Sequence, residues 1–332
     1  MREALEELGL DAVEGPRVHP TTLADAKARI PWRRAVRVVR MDSPATGTPT
    51  LGDVVAVLDE LYPPATAEGW DAVGLVAGDP AAPVRKVLFA VDPVADVVDE
   101  AISWGAELVV THHPLFLRGV HSVAATTFKG AVVHRLLAAG CALHVAHTNA
   151  DAAPRGVADA LADLVGIVDR RPLVAREGDD DRGIGRVGRL SGPTTLGEFA
   201  RHVAEVLPAT AQGVRVAGDL DAPVTTAAVV GGSGDSLFDA VREAGVDVYV
   251  TADLRHHPAS ELRERAAFER VHDGTPYLVD VAHFASEWPW LAYAAEDLTE
   301  RLRARVPDGT VTTRVSTRGT DPWTARFASP GR

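Results

Sequence analysis

Four short apolar segments of the chain, each opened by a glycine, end abruptly in histidines or acidic residues. They are GAELVVTHHP, GCALHVAHTNAD, GVDVYVTADLRHHP and GTPYLVDVAHFASE. Uninterrupted apolar runs of this length are typical of strands buried on both faces of a parallel sheet. Each run follows a helix-like segment, so each glycine fits a helix end and each polar cluster falls where a strand stops. The pattern predicts an open α/β sheet that binds ligands at the carboxyl ends of its strands.

The strand and helix pattern also occurs twice. VRKVLFAVDP, VADVVDEAISWG and ELVVTHH indicate a strand, a helix and a second strand. The stretch TTAAVVGGSGDSLFDAVREAGVDVYVTADLRHHP repeats this order, and both units end in Val-Thr followed by polar residues that include His-His-Pro. Such units join parallel strands by right-handed crossovers. We therefore predict an α/β fold with two related lobes, built on mostly parallel sheets.

Composition shifts suggest where these lobes begin and end. Residues 1–40 contain the Arg-rich stretch PWRRAVRVVR and no strand-helix alternation, so we expect a poorly ordered N-terminal extension rather than a packed element. The first lobe is assigned to residues 41–175. The Asp/Gly-rich segment at 176–185 is expected to be a loop. The second lobe, 176–327, includes a long helix after Glu287 and a C-terminal return to a sheet edge.

Charge and composition narrow the class of protein. The 332-residue chain has a formal charge of −12, which opposes a nucleic-acid partner because phosphate binding relies on a Lys/Arg surface. Cys141 is the single cysteine and suits a reducing compartment. No stretch has the length and apolarity of a membrane span, and the N-terminus lacks the apolar core of a signal peptide. These features predict a cytoplasmic protein without a membrane or nucleic-acid partner.

The polar residues at the predicted strand ends are those that bind metal ions. His283 and Glu287 are four residues apart, one turn on one helix face, and an imidazole with a carboxylate suits zinc, iron or manganese. Asp151 follows another strand. Adjacent side chains on a strand point to opposite faces, but Pro114 ends the strand after His112 and His113. The imidazoles of His112 and His113 either point apart so that each binds a different nearby ion, or form hydrogen bonds within a loop.

Taken together, these five residues describe a site for two metal ions in the cleft between the lobes. His147 lies four residues before Asp151 and is either a general acid/base or a buried hydrogen-bond donor to a ligand. His256 and His257 are expected to line the pocket rather than to bind metal. The GGSGDS segment at 231–236 is either an anion site at a helix N-terminus or a tight turn between strand and helix.

Several motifs together resemble one known family. WDAVGLVAGDP, VVTHHPLF, HTNADAAPRGV, GRVGRL, GGSGDS, TADLRHH and VDVAHFASE occur in the order and approximate spacing of the GTP cyclohydrolase 1 type 2 homologue family, the Nif-three-like dinuclear-metal proteins. The resemblance covers about residues 48–327. It implies a toroidal homohexamer with two divalent metal ions per chain. The ligands it implies are His112, His113, Asp151, His283 and Glu287, with Glu287 as the bridge.

Two functions from different classes are compatible with these features. The first is a dinuclear-metal hydrolase that acts on a nucleotide-like small molecule, with His147 as its catalytic acid/base. GTP cyclohydrolase activity is the activity from which the family takes its name. The alternative is a non-catalytic, metal-binding hexameric scaffold or regulatory protein, in which the hexamer and its metal ions serve the binding of protein partners. A nucleotide in the cleft would favour the enzyme, and a coordinatively closed site would favour the scaffold.

Overall fold

The computed structural model describes residues 47–269, 274–306 and 309–329. The extension expected at residues 1–40 lies outside these ranges and stays a prediction. Within the described residues the chain forms two sheets flanked by helices, which confirms the α/β class. Each sheet belongs to one lobe.

The first sheet has five strands in the order β1-β4-β3-β2-β11. Their bounds are β1 (Gly74–Ala77), β2 (Lys86–Ala90), β3 (Leu108–Thr111), β4 (Ala142–Val145) and β11 (Thr312–Val315). The four strands from β4 to β11 are parallel, and β1 joins the edge antiparallel. The predicted parallel pairing is therefore confirmed for this lobe.

Helices cover both faces of this sheet, as continuous apolar strands require. They are α1 (Leu51–Leu61), α2 (Ala95–Trp104), α3 (Phe128–Ala138) and α10 (Trp290–Arg305). Val87 and Phe89 of β2 pack in the core that contains α1 and α10, whereas Leu88 and Ala90 pack in the core that contains α2 and α3. Alternate residues of β2 thus pack against the helices on opposite faces of the sheet.

The second sheet has six strands in the order β5-β6-β8-β9-β10-β7. Their bounds are β5 (Ile167–Arg176), β6 (Asp179–Thr195), β7 (Arg215–Ala217), β8 (Pro223–Ser233), β9 (Val248–Ala252) and β10 (Tyr277–Val281). The helices of this half are α5 (Val157–Val165), α6 (Leu196–Val206), α7 (Phe238–Ala244) and α8 (His256–Glu269). Strands β8, β9 and β10 are parallel, and the remaining pairings are antiparallel.

The prediction of a loop at 176–185 is wrong. This segment is the tip of a hairpin, in which β5 and β6 pair on either side of residues 177–178. The glycines that suggested a loop allow close contact between the strands, because a Cβ on Gly183 would lie 2.1 Å from the carbonyl oxygen of Val174. Glycine in a strand commonly marks such an approach of two backbones.

Two elements lie on the other side of the division predicted at 175/176. Strand β5 precedes that point but pairs in the second sheet, because the hairpin joins it to β6. Strand β11 follows it but pairs with β2 at the edge of the first sheet. Helix α10 packs in the same core as α1. The chain thus leaves the first lobe and returns to it at the C-terminal end.

None of the described helices combines the length and apolarity that a membrane crossing requires.

Candidate metal centre

The predicted metal ligands all follow strands at their carboxyl ends. His112 and His113 come directly after β3, and Asp151 ends α4 (Thr148–Asp151), a short helix that follows β4. His283 and Glu287 begin and end α9 (His283–Glu287), which follows β10 of the second sheet. The carboxyl edges of the two sheets therefore face each other, and the five side chains meet between the lobes.

Glu287 lies at the centre of this cluster. Its Oε1 atom lies 2.9 Å from His283 Nε2 and 3.4 Å from His112 Nε2, and its Oε2 atom lies 3.1 Å from His113 Nε2. His113 Nε2 and His283 Nε2 are 3.2 Å apart. Asp151 completes the set, with Oδ1 3.7 Å from His112 Nε2. One carboxylate thus lies against three imidazoles.

The nitrogen and oxygen atoms form two overlapping groups that could each hold a metal ion. His112, His113 and His147 make one group, and His113, His283 and Glu287 make the other. Within each group the candidate ligand atoms lie within 4.8 Å of one another. Histidine and carboxylate ligands of this kind suit zinc, iron or manganese.

Each histidine of the cluster is oriented by a hydrogen bond at its other ring nitrogen. The Nδ1–H groups donate to oxygen atoms in four pairs: His112 to Ala146 O (3.0 Å), His113 to Asp92 Oδ1 (2.7 Å), His147 to Asp71 Oδ1 (2.8 Å) and His283 to Asp253 Oδ2 (2.7 Å). Donation from Nδ1 leaves the Nε2 lone pair directed into the cluster. In metal sites, a ligating histidine typically donates a hydrogen bond from its other ring nitrogen to a carboxylate or a carbonyl.

Two buried polar atoms of the cluster have no hydrogen-bond partner among the residues that the structure describes. They are Nε2 of His112, whose residue is 0% exposed, and Oε2 of Glu287, whose residue is 3% exposed. Buried polar atoms are nearly always satisfied, because leaving one unpaired costs free energy. A divalent ion would satisfy both, so the donor set fits a metal.

The buried carboxylate of Glu287 also needs positive charge beside it. Burial favours neutral imidazoles, but the carboxylate of Glu287 outweighs it and raises the pKa of His113 to about 11 and that of His283 to about 9. Burial likewise opposes ionisation of Glu287, yet the neighbouring histidines hold its pKa well below the usual range. Protons or metal ions can supply the charge that stabilises this carboxylate.

His147 belongs to a hydrogen-bonded unit at the edge of the cluster. Asp71 accepts from His147 through Oδ1, and from the backbone and hydroxyl of Thr148 through Oδ2 at 3.1 and 2.5 Å. Burial alone would raise the pKa of Asp71, but these hydrogen bonds lower it below its usual value. Asp71 is therefore an anion that orients the His147 ring, and the ring centroid lies 5.1 Å from that of His112.

A cavity of about 430 Å³ opens beside the cluster. Its walls include Trp70, Ile184, Val230 and Leu237, together with His147, Asp151, His283 and Glu287 from the cluster. Ser233 and Ser236 add hydroxyl groups. His256 and His257, which were expected to line the pocket, lie outside this wall in the first turn of α8 and are exposed.

The GGSGDS segment forms the end of β8 and a short 3-10 turn, Asp235–Leu237, rather than a long helix start that could hold an anion. Gly232 has φ +68°, and a Cβ there would lie 2.7 Å from Glu287 Oε1 and 3.2 Å from His283 Nε2. Its backbone N–H donates to Ser286 Oγ at 2.9 Å. The glycine lets the strand end lie directly against the candidate ligands His283 and Glu287.

Sequence reasoning missed the role of Asp92, which follows β2 and orients His113. The signal was present, because Asp92 is an acidic residue at a strand end like Asp151. The hydrogen bond from Thr148 to Asp71 had no such signal, since the two residues are far apart in the chain. Asp253 directly follows β9, and its contact with His283 depends on the pairing of β9 with β10.

Comparison with known proteins gives a consistent result. The model of the Duf34/NIF3 (NGG1p interacting factor 3) family matches residues 49–322. A Streptomyces coelicolor protein named GTP cyclohydrolase 1 type 2 homolog is 55% identical over 283 residues, which is 85% of this chain and 96% of that protein.

A Mycobacterium tuberculosis protein of the same name is 37% identical over 379 aligned positions, covering 82% of this chain and 96% of the relative. That alignment is longer than this chain, so the mycobacterial protein has residues with no counterpart here. Among solved structures, a Bacillus cereus protein related to NIF3 is 24% identical with a TM-score of 0.71. That match covers 83% of this chain and 99% of the neighbour, and it shows a shared fold.

Proposed function

Because the chain belongs to the Duf34/NIF3 (NGG1p interacting factor 3) family, we propose that it is a hydrolase that uses two divalent metal ions and acts on a nucleotide-like small molecule. The observation that carries the proposal is the meeting of three imidazoles, those of His112, His113 and His283, around the buried carboxylate of Glu287. Among the described residues, His112 Nε2 and Glu287 Oε2 have no hydrogen-bond partner. The name of the curated relatives supports the nucleotide class of substrate.

In this proposal the five ligands divide between two positions that share Glu287. His112 and Asp151 would hold one ion with Glu287, and His113 and His283 would hold the other. When bound, zinc, iron or manganese ions supply Lewis acidity and an activated water for hydrolysis. The carboxylates of Asp151 and Glu287 offset part of the positive charge that the ions bring.

The remaining residues of the site bind the substrate and move protons. His147 is proposed as the acid/base, with Nε2 as the atom that takes up or releases the proton and Asp71 as the residue that fixes the ring orientation. The cavity of about 430 Å³ is large enough for a small organic substrate. Trp70 lies at its mouth, 60% exposed, with its ring centroid 6.0 Å from that of His147.

The test combines metal analysis with turnover. Purified protein is expected to carry about two divalent ions per chain and to hydrolyse GTP, another nucleotide or a phosphoester. Glu287→Gln removes the shared anionic charge and should lower both metal content and turnover. His147→Ala should keep the metals but slow turnover by about a hundredfold if it is the acid/base.

Two results would contradict the proposal. Undiminished metal in both Glu287→Gln and Asp151→Asn would show that these residues are not ligands. Metal-loaded wild-type protein with no turnover above the Glu287→Gln control would favour the non-catalytic scaffold instead.

The assembly and location form part of the same proposal. The family resemblance favours a toroidal homohexamer, in which closed symmetry covers apolar surface. The single cysteine, which is buried, suits the reducing environment of the cytoplasm.

A further inference from the structure

The second lobe contains another cavity, of about 360 Å³, that shares no lining residue with the cavity beside the metal cluster. It lies between the edge strand β7, its neighbour β10 and the first turns of α8. Three arginines line it: Arg215 of β7, Arg255 directly before α8 and Arg263 within α8. In a protein with a formal charge of −12, three arginines around one cavity indicate an anionic ligand.

The carboxylates near this cavity do not offset all of its positive charge. Asp280, the acidic residue of the lining, is paired with Arg215. Its oxygens also accept from Gln212 Nε2 and from the backbone N–H of Leu254, each at 3.0 Å. Arg215 remains 59% exposed, so its guanidinium can still contact a ligand.

The two other arginines differ in their partners. Arg255 pairs with Asp235, which lies outside the lining, and its side chain is 73% exposed. Arg263 donates to the carbonyl oxygens of Gly274 and Pro276 and forms no salt bridge with a carboxylate among the described residues. Burial lowers the pKa of Arg263 below its usual value, so the environment disfavours its charge. An anion in the cavity would stabilise that charge.

The rest of the wall is mostly apolar, and its two polar residues are His256 and Ser260. Its apolar residues are Leu254, Ala259 and Leu278, together with Val216 and Ala217 of β7. Such a wall favours the hydrocarbon part of a ligand, while planar guanidinium groups match the oxygens of a carboxylate or a phosphate. The volume is in the range of sites for small molecules.

We propose that this cavity binds a small organic anion, with its acidic group at Arg215, Arg255 and Arg263 and its apolar part against Leu254, Ala259 and Leu278. The proposal does not depend on the hydrolase function, because none of these residues belongs to the metal cluster or to the cavity beside it.

Phenylphosphonate is a suitable probe, since it joins an aromatic body to a phosphorus acid that hydrolysis does not cleave. Benzyl alcohol is its uncharged counterpart. Isothermal titration of the full-length, metal-loaded protein should show phenylphosphonate binding at least about tenfold tighter than benzyl alcohol. Arg255→Gln, at an exposed side chain, should weaken phenylphosphonate binding about tenfold or more. Ala259→Phe should weaken it to a similar extent by filling the cavity without changing the charge.

Arg301→Gln is the matched control, because Arg301 is exposed on α10 and forms no ion pair among the described residues. It makes the same change in net charge as Arg255→Gln and should bind the probe like the wild type. Thermal unfolding and metal content of each variant verify that the fold is intact. The proposal is overturned if wild type does not bind the probe at millimolar concentration, if Arg255→Gln and Ala259→Phe bind it as wild type does, or if Arg301→Gln weakens it equally.

Discussion

The carboxylate of Glu287 lies within 3.4 Å of the imidazole nitrogens of His112, His113 and His283. In the metal-free protein this charge holds protons on the histidines, and the pKa values are about 11 for His113 and about 9 for His283. The ordinary histidine pKa is about 6.5. At the residue scale, metal ions and protons therefore compete for the same Nε2 atoms.

This competition predicts proton release on metal binding. At pH 7.5 His113 and His283 are protonated before metal binds, so we expect about two or more protons to be released per chain, and fewer at pH 10. Titration of zinc into metal-free protein, in buffers of different ionisation enthalpy, measures this number. Glu287→Gln lowers both pKa values and should reduce the release. An equal release at both pH values would contradict the assignment.

The same pKa values determine how the free energy of unfolding of the metal-free protein changes with pH. Because both pKa values are higher in the folded state, the stabilisation is fully present below pH of about 6.5. It decreases as the pH rises through about 9 for His283 and about 11 for His113. Urea unfolding of metal-free protein should therefore show the free energy of unfolding falling between pH 7 and pH 10. Metal-loaded protein should show a smaller decrease, since its histidines are already deprotonated.

At the scale of elements, the end of β8 and the short helix α9 form one unit of the candidate metal centre. Gly232 donates its backbone N–H to Ser286 Oγ, and that hydroxyl donates to the carbonyl oxygen of His283. This connection places the strand end beside both ligands of α9. A side chain at Gly232 would occupy the space in which Glu287 and His283 meet.

Gly232→Ala tests this contact against a matched variant, Gly245→Ala. Both glycines have a left-handed backbone, with φ +68° and +65°, but a Cβ at Gly245 would meet nothing within 4 Å. Each substitution should cost about 1–2 kcal/mol of stability because L side chains disfavour this conformation. Only Gly232→Ala should also lose bound metal, as measured by elemental analysis. Full metal content in Gly232→Ala would show that the strand end does not constrain the ligands.

At the scale of the whole molecule, the proposed ligands come from both lobes, and 170 positions separate His113 from His283. The first lobe is completed by α10 and β11, which follow the second lobe in the chain. Unfolding of either lobe would therefore separate the ligand set. Metal binding should stabilise both lobes together, since it favours the one state in which all ligands meet.

Assembly is expected to follow the family. Light scattering at micromolar concentration should give six times the 35.1 kDa mass of one chain. Because the proposed ligands of one centre all meet within a single chain, metal-free protein should keep this mass if it stays folded. A monomer mass across the concentration range would contradict the proposed ring.

The N-terminal extension predicted at residues 1–40 can be tested by a chain that starts at Met41. All five proposed ligands lie between residues 112 and 287, so the shortened protein should keep its metal content and its oligomeric mass. Its melting temperature should stay within a few degrees of the full chain, since a poorly ordered extension adds little stability. Loss of the assembly would show that the extension is structural.

The sequence alone predicted the α/β class and which side chains end the parallel strands. Short, continuous apolar runs identify buried parallel strands, and the polar residues directly after them must lie at a carboxyl edge. For the same reason His112, His113, Asp151, His283 and Glu287 could be singled out before any geometry was known. These are local properties, because they depend on residues within a few positions of one another.

Only the tertiary structure decided how the two edges meet. The pairing of β11 with β2 and the hairpin at 176–185 join segments whose partners are not encoded by their own periodicity. Asp92, Asp253 and Asp71 acquire their roles behind the histidines from the order of strands in each sheet and the placement of loops beside them. Local pattern fixes which face of a strand is apolar, whereas long-range packing determines which strand ends lie within hydrogen-bonding distance.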